Sequence, residues 1–310
     1  MLRLKLLRLG VPKCMSAWIW AFLRDRRAAV EVNGARGSER PFRAGLPQGS
    51  VLAPTLYTLW SADLITELKT VPGTDIFMYA DDTATLSSGA SIVEAGHRAQ
   101  RAADIIASWA TRWKMRVAGE KTQALVLSQW ARDASSMNIK VSGAVVTAGP
   151  SLRLLGVTFD RLLHFGAHCA ELRKKVRPRV AQLRRMTGRS WGLGERQLRS
   201  VANGYVRGAL EYAAGAWMPA ASASHLELVD RELRAAARVI TGCTASTPAF
   251  ALMSEAGVPA ACTRRSVVAA RLLGLAMSLP EVDPLRALAE ATPRAASGRR
   301  LAGGTAVARP

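Results

Sequence analysis

Acidic residues are scarce in this 310-residue chain: 23 Asp and Glu face 43 Lys and Arg, a formal net charge of +20. Lysine is scarce as well, with 8 lysines beside 35 arginines. Only four cysteines occur, Cys14, Cys169, Cys243 and Cys262, far apart and without a CxxC pair. That pattern excludes a disulfide scaffold and suits a reducing compartment. The one long uncharged stretch, between Arg43 and Asp63, contains Pro47, Gln48, Ser50 and Pro54, which argues against a membrane helix. The opening MLRLKLLRLGVPK interleaves cations with leucines, unlike a secretion signal, whose cations precede an unbroken apolar run. The sequence also lacks an internal repeat, a heptad run and a phosphate-cradling P-loop. With 49% apolar residues, disorder throughout is excluded.

The cations are unevenly spread. Residues 161–207 hold twelve Lys or Arg and two acids, Glu171 and Glu195, so this segment carries 12 − 2 = +10, half of the net charge. A basic excess of this size points to a polyanion partner, because cations that neutralise phosphates release condensed counterions. Arg173, Lys174, Lys175, Arg177, Arg179, Arg184 and Arg185 are the candidate phosphate contacts. The plain structural alternative is a solvated, arginine-rich helix face.

The coarse pattern is α+β. Ala29–Val32 alternates, Asn33-Gly34 breaks it, and Pro41-Phe42-Arg43 resumes an extended pattern, which predicts a hairpin. Leu52, Leu56, Leu59, Trp60 and Leu64 predict a helix over about 51–68, with Pro54 in its first turn. Two β-rich segments, Thr74–Ala80 and Thr83–Ser87, flank Asp81-Asp82. Ser91-Ile-Val-Glu94 matches a capping box, and Ile92, Ala95, Ala99, Ala102, Ile106, Trp109 and Trp113 continue it at helical spacing. Strands are expected at 122–128, 139–142 and 152–159. Beyond Asp160 the sequence turns to basic, Leu- and Ala-rich helical stretches interrupted at Pro178, Gly188, Gly192 and Gly194. From Leu279 onward Pro, Ala, Gly and Arg dominate, which predicts a disordered tail. The expected units are 1–150, a helical basic region at 151–278, and the tail at 279–310.

The sharpest chemical signal is Asp81-Asp82. Magnesium prefers oxygen ligands and commonly takes one or two carboxylates together with substrate phosphates, and paired metals serve in-line phosphoryl displacement. Taken alone, Asp-Asp is also a common turn pair. His164, His168 and Cys169 offer a zinc-like spacing without a second ligand pair to complete it.

Context adds a family resemblance. Gly45-Leu-Pro-Gln-Gly-Ser50 and Val51-Leu-Ala-Pro54, followed by Tyr79-Ala80-Asp81-Asp82, resemble the GxPQGS loop and F/Y-A-D-D hairpin of non-LTR (LINE-type) retrotransposon reverse transcriptases. Trp109, Trp113 and Met115, then Gly119-Glu120-Lys121-Thr122, are similar to that family's W…M…N-x-x-K-T segment, without the usual asparagine. Leu155-Gly-Val-Thr-Phe-Asp160 resembles the strand leading into the thumb. Phe165-Gly-Ala-His168, Trp191-Gly192, Leu210-Glu-Tyr-Ala213, Trp217-Met-Pro219 and Arg238–Cys243 look most like ingi-type elements of trypanosomatids. The likeness covers roughly residues 1–260.

The resemblance implies an RNA-directed DNA polymerase using Mg²⁺ or Mn²⁺, an RNA template, a DNA primer or target, and dNTPs, with nuclear access by analogy and no membrane partner. It implies Asp81 and Asp82 as metal carboxylates and Lys121 as a proton donor to departing pyrophosphate. Gly45, Pro47, Gln48 and Gly49 would shape the pocket over nucleotide and template base. It further implies a partial palm followed by a helical thumb or connection region, because the fingers and the first catalytic palm strand, with its D-F-x-x-A-F-D-like aspartate, have no counterpart in the sequence. Asp25, Asp63 and Asp75 do not fit that role. On this reading the isolated chain is an inactive fragment, and a non-catalytic RNA- or DNA-binding remnant is the competing possibility.

Overall fold

The computed structural model describes residues 2–42, 44–130, 132–133, 137–188 and 191–291. The chain divides into two compact units. One runs to Thr122 and includes Asn138–Val146; the other takes Gln123–Met137 and everything from Thr147.

In the first unit, α1 (Leu2–Arg8), α2 (Lys13–Leu23) and α3 (Ala53–Leu68) bury Leu6, Ile19 and Leu56 together, with Leu46, Leu52 and Leu59 packed around them. Between α2 and α3 lie two small ladders. β1 (Arg27–Ala28) pairs with β4 (Arg40–Pro41), and β2 (Glu31–Val32) with β3 (Ala35–Arg36) across Asn33-Gly34, both at positive φ as such a turn requires. Next, β5 (Thr74–Tyr79) and β6 (Asp82–Ser87) form an antiparallel hairpin. Then α4 (Ile92–Arg112) lays Trp109, Ala102 and Ala110 on Leu64 and Leu68 of α3, with Ile76 and Met78 of β5 against the same cluster. The hairpin thus buries one face of its alternation and exposes Phe77 and Tyr79 on the other. The capping box forms in modified shape: Ser91 Oγ accepts from the Glu94 amide, and Glu94 returns to the Ala90 amide.

One charged side chain sits inside this unit. Lys5 is 5% exposed. Its ammonium lies 3.6 Å from the Trp113 ring centroid, 4.6 Å from Trp60 and 5.0 Å from Trp109. It donates to the Trp60 carbonyl at 2.5 Å and to Asp63 Oδ1 at 2.8 Å, and Trp109 Nε1 donates to that same oxygen at 2.9 Å. A residue of α1 is thereby fixed to α3 and α4 at once.

β8 (Asn138–Val141) and β9 (Ala144–Gly149) turn at Ser142-Gly143, both at positive φ. Gln100 of α4 acts as a strand partner to β8, donating to the Lys140 carbonyl at 2.9 Å and accepting from its amide at 2.8 Å.

In the second unit, β7 (Ala124–Leu125) pairs in parallel with Ala148–Gly149, and β10 (Ser151–Leu154) pairs with β11 (Val157–Asp160). Helices follow: α5 (Gly166–Arg184), α6 (Glu195–Val201) running on through a wider turn at Ala202–Arg207, α7 (Ala223–Thr241), α8 (Ala249–Ala256), α9 (Ala261–Ser278) and α10 (Pro284–Glu290). Cys169, Leu172, Val176, Val180 and Leu183 form the buried stripe of α5, at spacings of three and four, against Leu226, Val229, Leu233 and Ile240 of α7 and the fully buried Trp217. Two polar ties fix α9. Asp230 Oδ1 accepts the Ala261 amide at 2.7 Å, and Glu211 takes both Arg264, at 2.7 Å, and Arg207, at 2.8 Å.

Four expectations need correction. The strand expected at 122–128 is confined to Ala124–Leu125, and the one at 152–159 folds back as a hairpin, because Leu155 and Gly156 both take positive φ and form a two-residue turn. β9 was not expected from the sequence. Pro178 does not interrupt α5; its ring faces solvent, so the helix loses one backbone hydrogen bond without losing its buried stripe. Within the expected tail, Asp283 accepts the Leu285 amide and starts α10. The residues beyond 291 lie outside those described.

Truncating Lys5 to alanine leaves Asp63 with the Trp109 hydrogen bond but no ion-pair partner, and empties the tryptophan cage. The expected loss is about 2–3 kcal/mol in denaturant unfolding, below the ~3–5 kcal/mol typical of fully buried pairs because Asp63 keeps partial access to water. Lys5→Met, which keeps the apolar stem, should lose less. A Lys5→Ala variant as stable as the parent would contradict this account.

Candidate functional site

The β5–β6 hairpin closes through two residues. Tyr79 pairs with Asp82, so Ala80 and Asp81 form the loop, and Ala80 holds φ at 52° while Asp81 does not. A residue with a Cβ in that region carries a local penalty of about 1–2 kcal/mol, and such outliers persist where the surroundings over-determine them. Side chains that would alternate along a straight strand are here released by the turn. Asp81 and Asp82 both reach solvent at the tip.

Asp81 lies close to α3. The Tyr57 phenol is held above its ordinary value of 10.0, by burial first and by the Asp81 charge second. Tyr57 stands one turn into α3, and the Gly45–Ser50 loop opens that same helix end. The loop is shaped by Gly45 and Gly49, with φ of +84° and +82°, by the Ser50 amide donating to the Pro47 carbonyl at 3.2 Å, and by Ser50 Oγ accepting from the Leu52 amide at 3.3 Å. Arg26 donates to the Gly45 carbonyl at 2.6 Å and lies over the Phe42 ring at 4.9 Å, bracing the loop from behind. Leu46 is anchored in the α1–α3 core, while Gln48 is exposed. The Asp81 charge is thus felt at Tyr57, one turn into the helix that the glycine loop opens.

Lys121 is placed differently. It ends a short 3₁₀ turn, Gly119–Lys121, and is exposed, and no hydrogen bond or ion pair links it to Asp81 or Asp82. The turn is pinned by Gly119, where an added methyl would run into the Val141 carbonyl oxygen and come within 2.9 Å of Ala144 Cβ.

In the second unit, α5 carries the predicted cations. Two of them are engaged internally. Arg173 donates to Glu232 at 3.0 Å, and Arg179 donates to the Tyr205 carbonyl at 2.8 Å while lying 4.7 Å from that ring's centroid. Lys174, Lys175, Arg177, Arg184 and Arg185 are exposed, and among the described residues their side chains have no partner. Cys169 is fully buried, its thiol pushed up to about 11 by burial and then by Asp160. Among the described residues no group of three or more His, Cys, Asp or Glu is placed to hold a metal. No helix among them is long and apolar enough to cross a membrane.

Sequence reasoning missed Tyr57, Lys5 and the positioning role of Gly119. Trp60, Trp109 and Trp113 were legible as helix faces, but nothing local signalled that Lys5, far from all three in sequence, would fill the space between them.

The sequence profile described as Reverse transcriptase (RNA-dependent DNA polymerase) matches residues 2–159. The chain belongs to the reverse transcriptase family. It is similar to the RNA-directed DNA polymerase from mobile element jockey of Drosophila melanogaster, 34% identical over 167 residues, covering 53% of this chain and 18% of that protein. The jockey polymerase of Drosophila funebris is 32% identical over 190 residues, 60% of this chain and 20% of the relative. A Pol polyprotein from type-1 retrotransposable element R1 of Nasonia vitripennis is 31% identical over 139 residues, 44% and 35% respectively. These relatives mark the family as non-LTR, LINE-like. This reverse transcriptase chain spans about a fifth of the length of the two jockey polymerases.

Two glycines test the local construction. Gly49→Ala, with open space around the new methyl but φ at +82°, is expected to cost about 1 kcal/mol. Gly119→Ala, which meets a backbone carbonyl, is expected to cost about 2 kcal/mol or more. Denaturant unfolding that ranked them in the opposite order would contradict the described turns.

Proposed function

We propose that this chain carries part of the polymerising centre of a non-LTR retrotransposon reverse transcriptase, which copies an RNA template onto a DNA primer or target from dNTPs. The observation that carries this reading is the exposed Asp81-Asp82 pair at the tight β5–β6 turn, its charge felt at Tyr57 of the helix that the Gly45–Ser50 loop opens. Two exposed carboxylates at a tight turn fit a hard divalent cation that completes its shell with water and substrate phosphates. When bound, Mg²⁺ or Mn²⁺ supplies neutralisation of charge on the attacking and leaving oxygens.

The chain's own residues then divide the work. Asp81 is a metal-ligand carboxylate and Asp82 its partner. Gly45 and Gly49 let the backbone approach a nucleotide closely, Pro47 stiffens the loop, and the Gln48 amide is free to hydrogen-bond base or sugar edges. Lys121 is the proton source for departing pyrophosphate. The five free cations of α5 and its C-terminal cap, with Arg173 and Arg179 beside them, track a phosphate backbone.

Within this reading residues 1–150 form a partial palm and 151–278 a helical thumb or connection region. The likeness of Phe165–His168 and Trp217–Pro219 to trypanosomatid ingi-type elements belongs to the same proposal. Because the resemblance assigns only two carboxylates of this chain, Asp81 and Asp82, to the metal, the isolated chain binds nucleic acid but does not polymerise.

Primer extension on an RNA template with Mg²⁺ or Mn²⁺, beside Asp81→Ala and a salt titration of RNA binding, tests this. The expected outcome is no extension by the chain alone and RNA affinity that falls steeply with salt, less steeply in Lys174→Ala/Arg177→Ala. Extension abolished by Asp81→Ala would keep the polymerase site and overturn the inactivity. Extension unaffected by Asp81→Ala would overturn the site.

A further inference from the structure

A cavity of about 260 Å³ in the second unit, between the β10–β11 turn, α5 and Tyr212, shares only Lys175 with the reading above. We propose that it binds a phosphate that still carries a proton: inorganic phosphate or a terminal phosphate monoester.

Its walls supply three kinds of group. Arg153 and Lys175 line it, both exposed and both without a side-chain partner among the described residues, so two cations are free for an anion. His168, also in the lining, is 1% exposed. Its Nδ1 accepts the Thr158 amide at 3.3 Å, which places the proton of the neutral ring on Nε2, and Nε2 is buried without a partner. The ring stands edge-to-face with Trp217, centroids 5.1 Å apart, so the imidazole is held fixed in the cavity wall and reports on what fills the cavity. Burial keeps this imidazole below its ordinary value of 6.5; Glu171 opposes the shift and Arg153 and Lys175 add to it, so all three charges lie near the ring.

Glu171 is the informative wall residue. Thr158 Oγ1 donates to its Oε2 at 2.8 Å, which leaves the other oxygen able to accept. A carboxylate in an anion pocket repels a fully deprotonated oxyanion and accepts a hydrogen bond from one that retains an acidic hydroxyl. Hydrogen phosphate has that hydroxyl at neutral pH, as does the protonated form of a monoester with a second pKa of about 6. Sulfate and the internal diesters of a nucleic acid strand do not. The pocket therefore selects phosphate over sulfate, and strand ends over strand interiors. The wall itself is set by Gly156, at φ +82°, whose Cβ would come within 3.2 Å of the Tyr212 ring.

The test uses the full chain and follows the His168 ring ¹H–¹⁵N signal together with calorimetry. Inorganic phosphate is expected to shift the signal saturably, and sulfate at matched ionic strength to bind at least about tenfold more weakly. Arg153→Met and Lys175→Met, both at exposed positions, should each weaken phosphate binding by about tenfold. Glu171→Gln should remove the preference over sulfate. An RNA oligonucleotide with a 5′-phosphate that competes where its 5′-hydroxyl twin does not would identify strand ends as the source. Competition by neither would identify the free ion. A His168 signal unmoved by phosphate, or phosphate and sulfate binding alike in the parent chain, would overturn the proposal. Primer extension does not bear on any of these readouts, so failure of the polymerase reading leaves this one standing and the converse holds.

Discussion

The first unit depends on one ammonium group held among three indole rings. Lys5 joins α1 to α3 and α4 through cation–π contacts and two hydrogen bonds, and Asp63 receives both Lys5 and Trp109. Cation–π contacts are worth about 0.5–2 kcal/mol each, more when desolvated, and they offset the cost of removing a charge from water. Burial drags the Lys5 pKa below its ordinary 10.5 against the opposing pull of Asp63. The ion pair ties α1 to α3, and α3 follows the glycine loop at one end and packs against the acidic hairpin through Ile76 and Met78.

With α3 fixed, the site follows from backbone geometry. Gly45 and Gly49 take conformations unfavourable to other residues, and Ala80 adopts one despite its Cβ. The strain at Ala80 is compensated by the β5–β6 ladder and by Ile76 and Met78 packed in the core. The result is a pair of exposed carboxylates at a tight turn, the charge of Asp81 felt at Tyr57.

Much of this was legible in the sequence, for identifiable reasons. The α4 start was readable because Ser91 and Glu94 act locally, and the hairpin because Tyr79–Asp82 interrupts two β-rich runs. The α3 span followed from its apolar period and Pro54. What stayed hidden depended on distant partners or on unusual φ values. Leu155 gives no outward sign that it turns left-handed with Gly156 to split one strand into two. Pro178 looked like a break because sequence alone does not show which helix face meets solvent. The engagement of Arg173 by Glu232, 59 positions away, is a tertiary fact that composition cannot supply. Glycine loop and acidic pair were readable as separate motifs; the influence of Asp81 on Tyr57 was not.

The central claim is that the Asp81-Asp82 tip is where a divalent cation and a nucleotide meet this chain. Paramagnetic broadening of backbone amides by sub-stoichiometric Mn²⁺ in the presence of a dNTP measures this without requiring turnover. The account predicts selective loss of the Ala80–Thr83 signals, abolished by Asp81→Ala. Broadening distributed over other exposed acids such as Asp75 and Glu120, and indifferent to Asp81→Ala, would contradict it.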